Sequence, residues 1–269
     1  MIFFVHVAKT AGSTMNRYLA ENCGDGVDHC ERFIDDPAAL GGVAARVEWM
    51  SGHVTLPAAR AALAPLPRSV RYVTCVRRPA AQIRSHYNWL AEIFYKSATF
   101  YEAHPPIIKA ISEQVRQTIA NPSPAAVARD LRQHAGLFLN SQSRYFFGAR
   151  IDPSLLAVRD AEVFAALPTV RETVDTFDAI GDSGSIEALF NHVHGSARYS
   201  AGNRQKVNVS QYHFDPALFD SEEVAETLRL HSRLDDLLYG YLTERMAGGL
   251  LVNRPSPAAA AVLAAGPLT

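Results

Sequence analysis

The sequence predicts an α/β domain with a central, mainly parallel β-sheet flanked by helices. Three observations predict it. Apolar, β-branched or aromatic runs occur at residues 2–7, 70–76 and 177–181. Each is followed by a stretch with helical periodicity. The 269 residues are 48% hydrophobic and 20% charged, enough to bury one sizeable core.

The first strand, Ile2 to Val7, runs into the turn Ala8-Lys9-Thr10-Ala11-Gly12-Ser13-Thr14 and then an amphipathic helix. Backbone N–H groups at a helix start lack partners, and the helix dipole favours negative charge there. Lys9 adds a full positive charge, and Thr10, Ser13 and Thr14 add hydroxyl donors. That pattern predicts a site for a phosphate-like group.

The second strand, 70–76, ends at Arg77-Arg78-Pro79. Proline suits a first helical turn, so a helix is expected from Ala80 to Phe94. Residues 92–147 read as mainly helical, with a break at Asn121-Pro122 and a new start at Ser123-Pro124 running to His134. The third strand, 177–181, precedes capping groups at 182–185 and a helix through His192. Residues 220–244 form a long amphipathic region of one helix or two. No repeat or linker divides the chain. The expectation is one domain over 1–252 and an Ala/Pro-rich tail over 253–269. Helices between strands imply parallel crossovers, and ligands of such sheets gather at the strands' carboxyl ends. Lys9 and Arg77 both lie at such ends.

Composition narrows the partners. A net charge of -1 argues against a general nucleic-acid binder, and it disfavours a long polyanionic acceptor. No stretch of about 18 apolar residues is present to span a membrane. No signal peptide precedes the first strand, so a cytoplasmic protein of bacterial type is expected. Cys23, Cys30 and Cys75 do not form a disulfide framework. Cys75 reads as a buried thiol; Cys23 and Cys30 read as free thiols that an oxidising compartment would allow to pair. Nothing in the sequence sets the oligomeric state.

Four segments resemble PAPS-dependent sulfotransferases, in the branch of the heparan sulfate 2-O-sulfotransferases and their bacterial relatives. PAPS is 3′-phosphoadenosine 5′-phosphosulfate. The segment His6 to Thr14 is similar to that family's 5′-phosphosulfate loop. Ser51-Gly52-His53-Val54 is similar to its His-Gly-His-Val segment, which holds the catalytic base. Val76-Arg77-Arg78-Pro79 through Arg84-Ser85-His86-Tyr87 is similar to its 3′-phosphate motif, with Arg77 and Ser85 in the binding positions. Asn140 to Gly148 is similar to a segment lining its cleft. A weaker likeness places Lys206, Asn208 and Ser210 in a loop over the nucleotide, and Leu237-Leu238-Tyr239 in a terminal helix. Two positions depart from the pattern: Ser51 replaces the first histidine, and Arg78 replaces an aspartate.

The resemblance implies a P-loop-kinase-like three-layer fold and sulfuryl transfer from PAPS to an acceptor hydroxyl, a carbohydrate being one candidate, with PAP as product and no metal required. Residues 92–147 would form the acceptor side. Lys9 would stabilise the leaving phosphate oxygen. The turn 10–14, with Ala11 and Gly12 contributing backbone amides, would hold the 5′-phosphate. His53 would act as general base, and Arg77 with Ser85 would hold the 3′-phosphate. Should His53 not serve, Glu48 and Glu31 are the next bases. Two other functions compete. A small-molecule kinase would want the pattern G-x-x-x-x-G-K-[ST], and here Lys9 precedes the glycine. A non-catalytic nucleotide- or glycan-binding relative would not need His53. Among the remaining aromatic and imidazole groups, His6 reads as strand-end packing and His86 as helix surface. Trp89, Phe94 and Tyr95 read as core or acceptor-cleft lining, and Tyr145, Phe146 and Phe147 as core.

Overall fold

A computed structural model describes residues 1–148, 165–195 and 211–254. Six strands form one sheet: β1 (Ile2–Val5), β2 (Gly26–Val27), β3 (Trp49–Gly52), β4 (Arg71–Val76), β5 (Ala179–Asp182) and β6 (Leu250–Val252). Their order across the sheet is β2-β3-β1-β4-β5-β6. All pairings are parallel except β5 with β6. The mainly parallel α/β architecture expected from the sequence is therefore present, and strands from both ends of the chain share the sheet.

Alternation along β1 explains why both faces are covered. Phe3 and Val5 join a core with Met50, Tyr72 and Val76, while Phe4 joins the opposite core with Met15, Leu19 and Val73. A parallel strand buried on both faces reads as an unbroken apolar run. Helix α1 (Gly12–Asn22) packs on the Phe4 face. Helices α2 (Pro37–Ala44) and α3 (Leu56–Leu63) contribute to the other core.

Helix α4 (Pro79–Lys96) begins at the sheet edge with proline in its first turn. Its 18 residues extend for roughly 27 Å. Ile83, Tyr87 and Leu90 on α4 join a separate helical core. That core includes α6 (Pro106–Ala120) and α7 (Pro124–Gln133), beyond the short α5 (Ala98–Glu102). Ser123 caps α7 by accepting the Ala126 N–H at 3.2 Å. The short α8 (Ala135–Phe138) and α9 (Ser141–Phe147) return the chain to the sheet, followed by α10 (Leu167–Val174) and α11 (Ile186–His194). The region 220–244 resolves into two helices, α12 (Glu222–His231) and α13 (Arg233–Arg245).

Register fixes the site. Val5 pairs with Gly52 on one side and Thr74 on the other, and Val76 pairs with Asp182. Four parallel strands thus end along one edge. From β1 the chain proceeds to β2 and β3 on one side, and from β4 to β5 on the other. The ends of β1 and β4 therefore flank a topological switch point, where adjacent connections diverge and leave a crevice.

Candidate functional site

The turn after β1 is held in a strained shape. Lys9 and Ala11 both take positive φ, 64° and 72°, which non-glycine residues adopt at a cost. Helix α1 then starts at Gly12 with no side-chain cap, which leaves its first-turn N–H groups without a capping acceptor. Thr10 departs from expectation. It is fully buried, and its hydroxyl donates to the Val7 carbonyl at 2.9 Å. The side chain braces the turn, and only its backbone remains available to a ligand.

Lys9 is half-buried, and no hydrogen-bond acceptor for its ammonium is present among the described residues. Burial lowers its pKa; Glu92 opposes that shift, and Arg77 and Lys96 add to it. Its turn is fixed by the backbone instead. The Gln82 amide donates to the Ala8 carbonyl at 2.9 Å, and Arg77 Nη1 reaches the Lys9 carbonyl at 3.3 Å.

Arg77 is clamped in the same fashion. Its N–H donates to Gln142 Oε1 at 2.9 Å, and its carbonyl accepts from Gln142 Nε2 at 2.7 Å. Gln142 is itself anchored by Asp235, which accepts the N–H groups of Gln142 and Ser143 at 3.1 and 2.7 Å. Ser141 completes the brace by donating to Gln82 Oε1 at 2.8 Å. Burial raises the Asp235 pKa to about 6 against the pull of those hydrogen bonds. Arg78 is exposed and acts electrostatically on Asp236 and Tyr239 of α13.

His53 follows β3 and is wired through its ring. Nδ1 lies 2.8 Å from the His6 carbonyl, which can only accept, so Nδ1 carries the proton and Nε2 is left as the ring's acceptor. The His6 ring packs against it, with centroids 4.3 Å apart and the planes tilted by 31°. The His53 N–H donates to Glu31 Oε2 at 3.0 Å, while Glu31 Oε1 pairs with His29 Nδ1 at 2.9 Å. A side chain at Gly52 would collide with Glu31 and Cys30, and one at Gly12 would overlap the His6 ring. Both glycines are needed for these close approaches. His53 meets solvent at the cleft, yet dense protein around it lowers its pKa. Glu31 and the His6 carbonyl oppose that shift. Burial holds His6 well below the usual range as well.

These groups share one cleft of about 860 Å³, lined by Lys9, Ala11, Gly12, Ser13, Thr14, Arg77, Ser85 and His53. Ser85, His86, Trp89, Glu92 and Lys96 bring one face of α4 into its wall. A smaller cavity of about 290 Å³ beside Leu56, Phe146 and Thr173 contains none of the expected site residues.

Several expectations change. His86 is a buried wall of the cleft, not a surface group, and burial drives its pKa to about 3. Phe94 and Tyr95 are exposed, at 40% and 48%, and belong to neither core nor cleft. Glu48 pairs with Arg68 at 3.1 Å beside the start of β3, at the opposite edge from His53. Ser51 is fully buried, its hydroxyl without a partner. Phe146 and Phe147 lie in the core as expected, while Tyr145 reaches His53. All three cysteines are free thiols, with Cys30 and Cys75 buried. Lys206, Asn208, Ser210 and the tail from 255 lie outside the described residues.

Sequence reading singled out none of Gln82, Asp235 and His29, and it held Gln142 and Glu92 only within the segments 140–148 and 92–147, with no individual role. Glu92 and Gln82 carried a further signal, as members of the α4 face that includes Ser85 and of the helical turn before it. Among the described residues no helix is long and apolar enough to cross a membrane, and no group of three His, Cys, Asp or Glu is placed to hold a metal ion. The chain matches no protein-family model, and no curated protein matches it.

Proposed function

We propose that the protein is a PAPS-dependent sulfotransferase built on a P-loop-kinase-like core, acting on an acceptor hydroxyl such as that of a carbohydrate. One observation carries this reading: Lys9, Arg77, Ser85 and a tautomerically fixed His53 face a single cleft. Two cationic groups with spare donors, rooted at the ends of the adjacent strands β1 and β4 and facing one cleft, fit a donor bearing phosphates at two positions. Among the described residues Lys9 has no hydrogen-bond acceptor, and a half-buried ammonium gains most from an anionic oxygen.

The chemistry balances with these groups alone. The acceptor oxygen forms a bond to sulfur as the bond from sulfur to the bridging phosphate oxygen breaks. His53 Nε2 takes the acceptor proton. Lys9 and the first-turn amides of α1 offset charge appearing on the leaving phosphate. The lowered His53 pKa keeps the ring neutral, hence competent as a base, below pH 6.5. Sulfuryl transfer resembles phosphoryl transfer, so positioning and electrostatics carry most of the catalysis.

Titration calorimetry with PAP and with ATP tests the reading. Tighter binding of PAP is expected. Tighter binding of ATP would overturn it in favour of a kinase. Tight PAP binding with no PAP released from PAPS across a panel of hydroxyl acceptors would favour a non-catalytic relative.

A further inference from the structure

We propose that His29 binds the acceptor beside the base, and that the acceptor is an uncharged diol: one hydroxyl meets His53 and its neighbour meets His29. This inference rests on the sulfotransferase reading and names the substrate class at the same cleft.

The sheet order places His29 on the acceptor side. The strands that end at the cleft run β2-β3-β1-β4. His29 follows β2, His53 follows β3, Lys9 follows β1 and Arg77 follows β4. Val27 of β2 is level with Met50 of β3, and each step between strands is about 4.8 Å. Lys9 and Arg77 therefore hold the donor half, His53 comes next, and His29 lies beyond the base. His29 lines the cleft, and its ring centroid is 5.9 Å from that of His53.

The two imidazoles are held alike. His53 Nδ1 is tied to the His6 carbonyl, and His29 Nδ1 lies 2.9 Å from Glu31 Oε1. Burial pushes the Glu31 pKa up, but bonds from His29, from its own N–H and from the His53 N–H outweigh it and hold it below the usual range. The carboxylate is ionised and can only accept, so Nδ1 of His29 carries a proton. Among the described residues, Nε2 of His29 has no hydrogen-bond partner. His29 also holds φ at 49°, a left-handed conformation that costs a non-glycine residue. Strain and the Glu31 bond thus fix a side chain that is 57% exposed. Such a ring adds little to packing and leaves its second nitrogen to a ligand.

The surroundings select a neutral hydroxyl. A hydroxyl donates and accepts, so it suits Nε2 in either charge state of the ring. The carboxylates of Asp28, the preceding residue in the cleft wall, and of Glu31 repel an acidic acceptor at this end. Arg17 also lines the cleft, but Glu21 engages it at 2.7 Å. Hydroxyls on adjacent carbons can engage neighbouring rings together, whereas a single hydroxyl uses His53 alone.

Release of PAP from PAPS with trans-1,2-cyclohexanediol and with cyclohexanol tests the assignment on the intact chain. The wild-type protein is expected to favour the diol in kcat/KM by at least about tenfold, because a group placed to bond a hydroxyl discriminates against an acceptor lacking it. His29→Asn tolerates the left-handed backbone and shortens the reach. It should cut the preference to about twofold, the advantage of two equivalent hydroxyls, and leave cyclohexanol turnover and PAP affinity within about twofold. His29→Gln, with its longer amide, should recover part of the preference. Wild-type turnover that ignores the second hydroxyl, or that is confined to acidic or monohydroxyl acceptors, would overturn the diol assignment and leave the sulfotransferase reading intact. Equal losses with both acceptors would make His29 a support of His53 through Glu31, and weakened PAP binding would move it to the donor side; either result overturns the proposal. No PAP release with any hydroxyl acceptor would overturn the sulfotransferase reading, and this inference with it.

Discussion

The two sides of the cleft are fixed in opposite ways. On the side proposed to bind phosphate, Gln82 and Gln142 hold the main chain at Ala8 and Arg77, while among the described residues Lys9 Nζ and most Arg77 donors stay unused. On the base side the ring itself is held: Nδ1 by the His6 carbonyl, one face by the His6 ring. A binding group needs its head free and its root rigid. A general base needs one nitrogen committed, so that the other is an acceptor. If the contrast is real, affinity and turnover separate, and substitutions on the two sides change different quantities.

The largest effect should follow from His53→Gln. Glutamine can keep a hydrogen bond to the His6 carbonyl but cannot accept the proton. Release of PAP from PAPS should slow by about 10²–10⁴-fold, the usual worth of a positioned acid or base. PAP affinity should stay within about twofold. Equal losses in kcat and in PAP affinity would join the two sides into one unit and break the comparison.

Acid should expose the same asymmetry through stability. Burial depresses the pKa of His6, His53, His86, His134 and His192 in the fold. Below pH 6.5 the unfolded chain takes up protons that the fold does not, so stability is level above that pH and falls below it. His86, held to about 3, contributes on the order of 4 kcal/mol to the fall between pH 6.5 and 3. Asp235 has the opposite sign. Its pKa is raised to about 6, so the fold holds its proton more tightly and gains stability as pH drops from about 6 toward 3.8. The histidines outnumber it. Urea midpoints should be flat from pH 7 to 8 and decline below 6.5. His86→Phe should shallow that decline; an unchanged slope would show that His86 is not held neutral.

Legibility in the sequence followed the same division. The turn 8–14 and the strand end at Arg77 announced themselves because each compresses its signal into a few neighbours: apolar run, cation, then helix start. The clamps did not. Gln142 meets Arg77 from 65 positions away, and Asp235 meets Gln142 from a further 93. No periodicity links them. Strand β3 was invisible for another reason. Only Trp49 and Met50 of its four residues are apolar, Ser51 and Gly52 being poor strand formers, and pairing on both edges overrides that weakness. His86 was misplaced because a lone polar residue in an amphipathic helix looks like the solvent face. Thr10 was misassigned because a hydroxyl in an anion loop can brace the loop as readily as bind the anion.

Gln142→Ala should act on the phosphate side alone. It leaves the N–H and carbonyl of Arg77 unsatisfied, which costs about 1–3 kcal/mol of stability. PAP affinity should fall about three- to tenfold as the Arg77 turn loosens, while the pH profile of turnover keeps its shape. A displaced acid limb would show that the clamp also sets the base, against the separation drawn above.

Tyr145→Phe should have the smallest effect, and it is the sharpest check on how the base is held. The Tyr145 hydroxyl lies 3.4 Å from His53 Nδ1, long for a hydrogen bond and aimed at a nitrogen already committed to the His6 carbonyl at 2.8 Å. With one proton on Nδ1 and a carbonyl that can only accept, the shorter contact sets the tautomer. Removing the hydroxyl should therefore change kcat by no more than about twofold and leave the acid limb where it was. Burial, the largest influence on His53, is unaltered by the change because the ring of residue 145 remains. A tenfold loss, or an acid limb moved by a full pH unit, would assign the tautomer to Tyr145. The base would then depend on a side chain that substitution can remove, not on a main-chain carbonyl at the end of β1 that every variant retains.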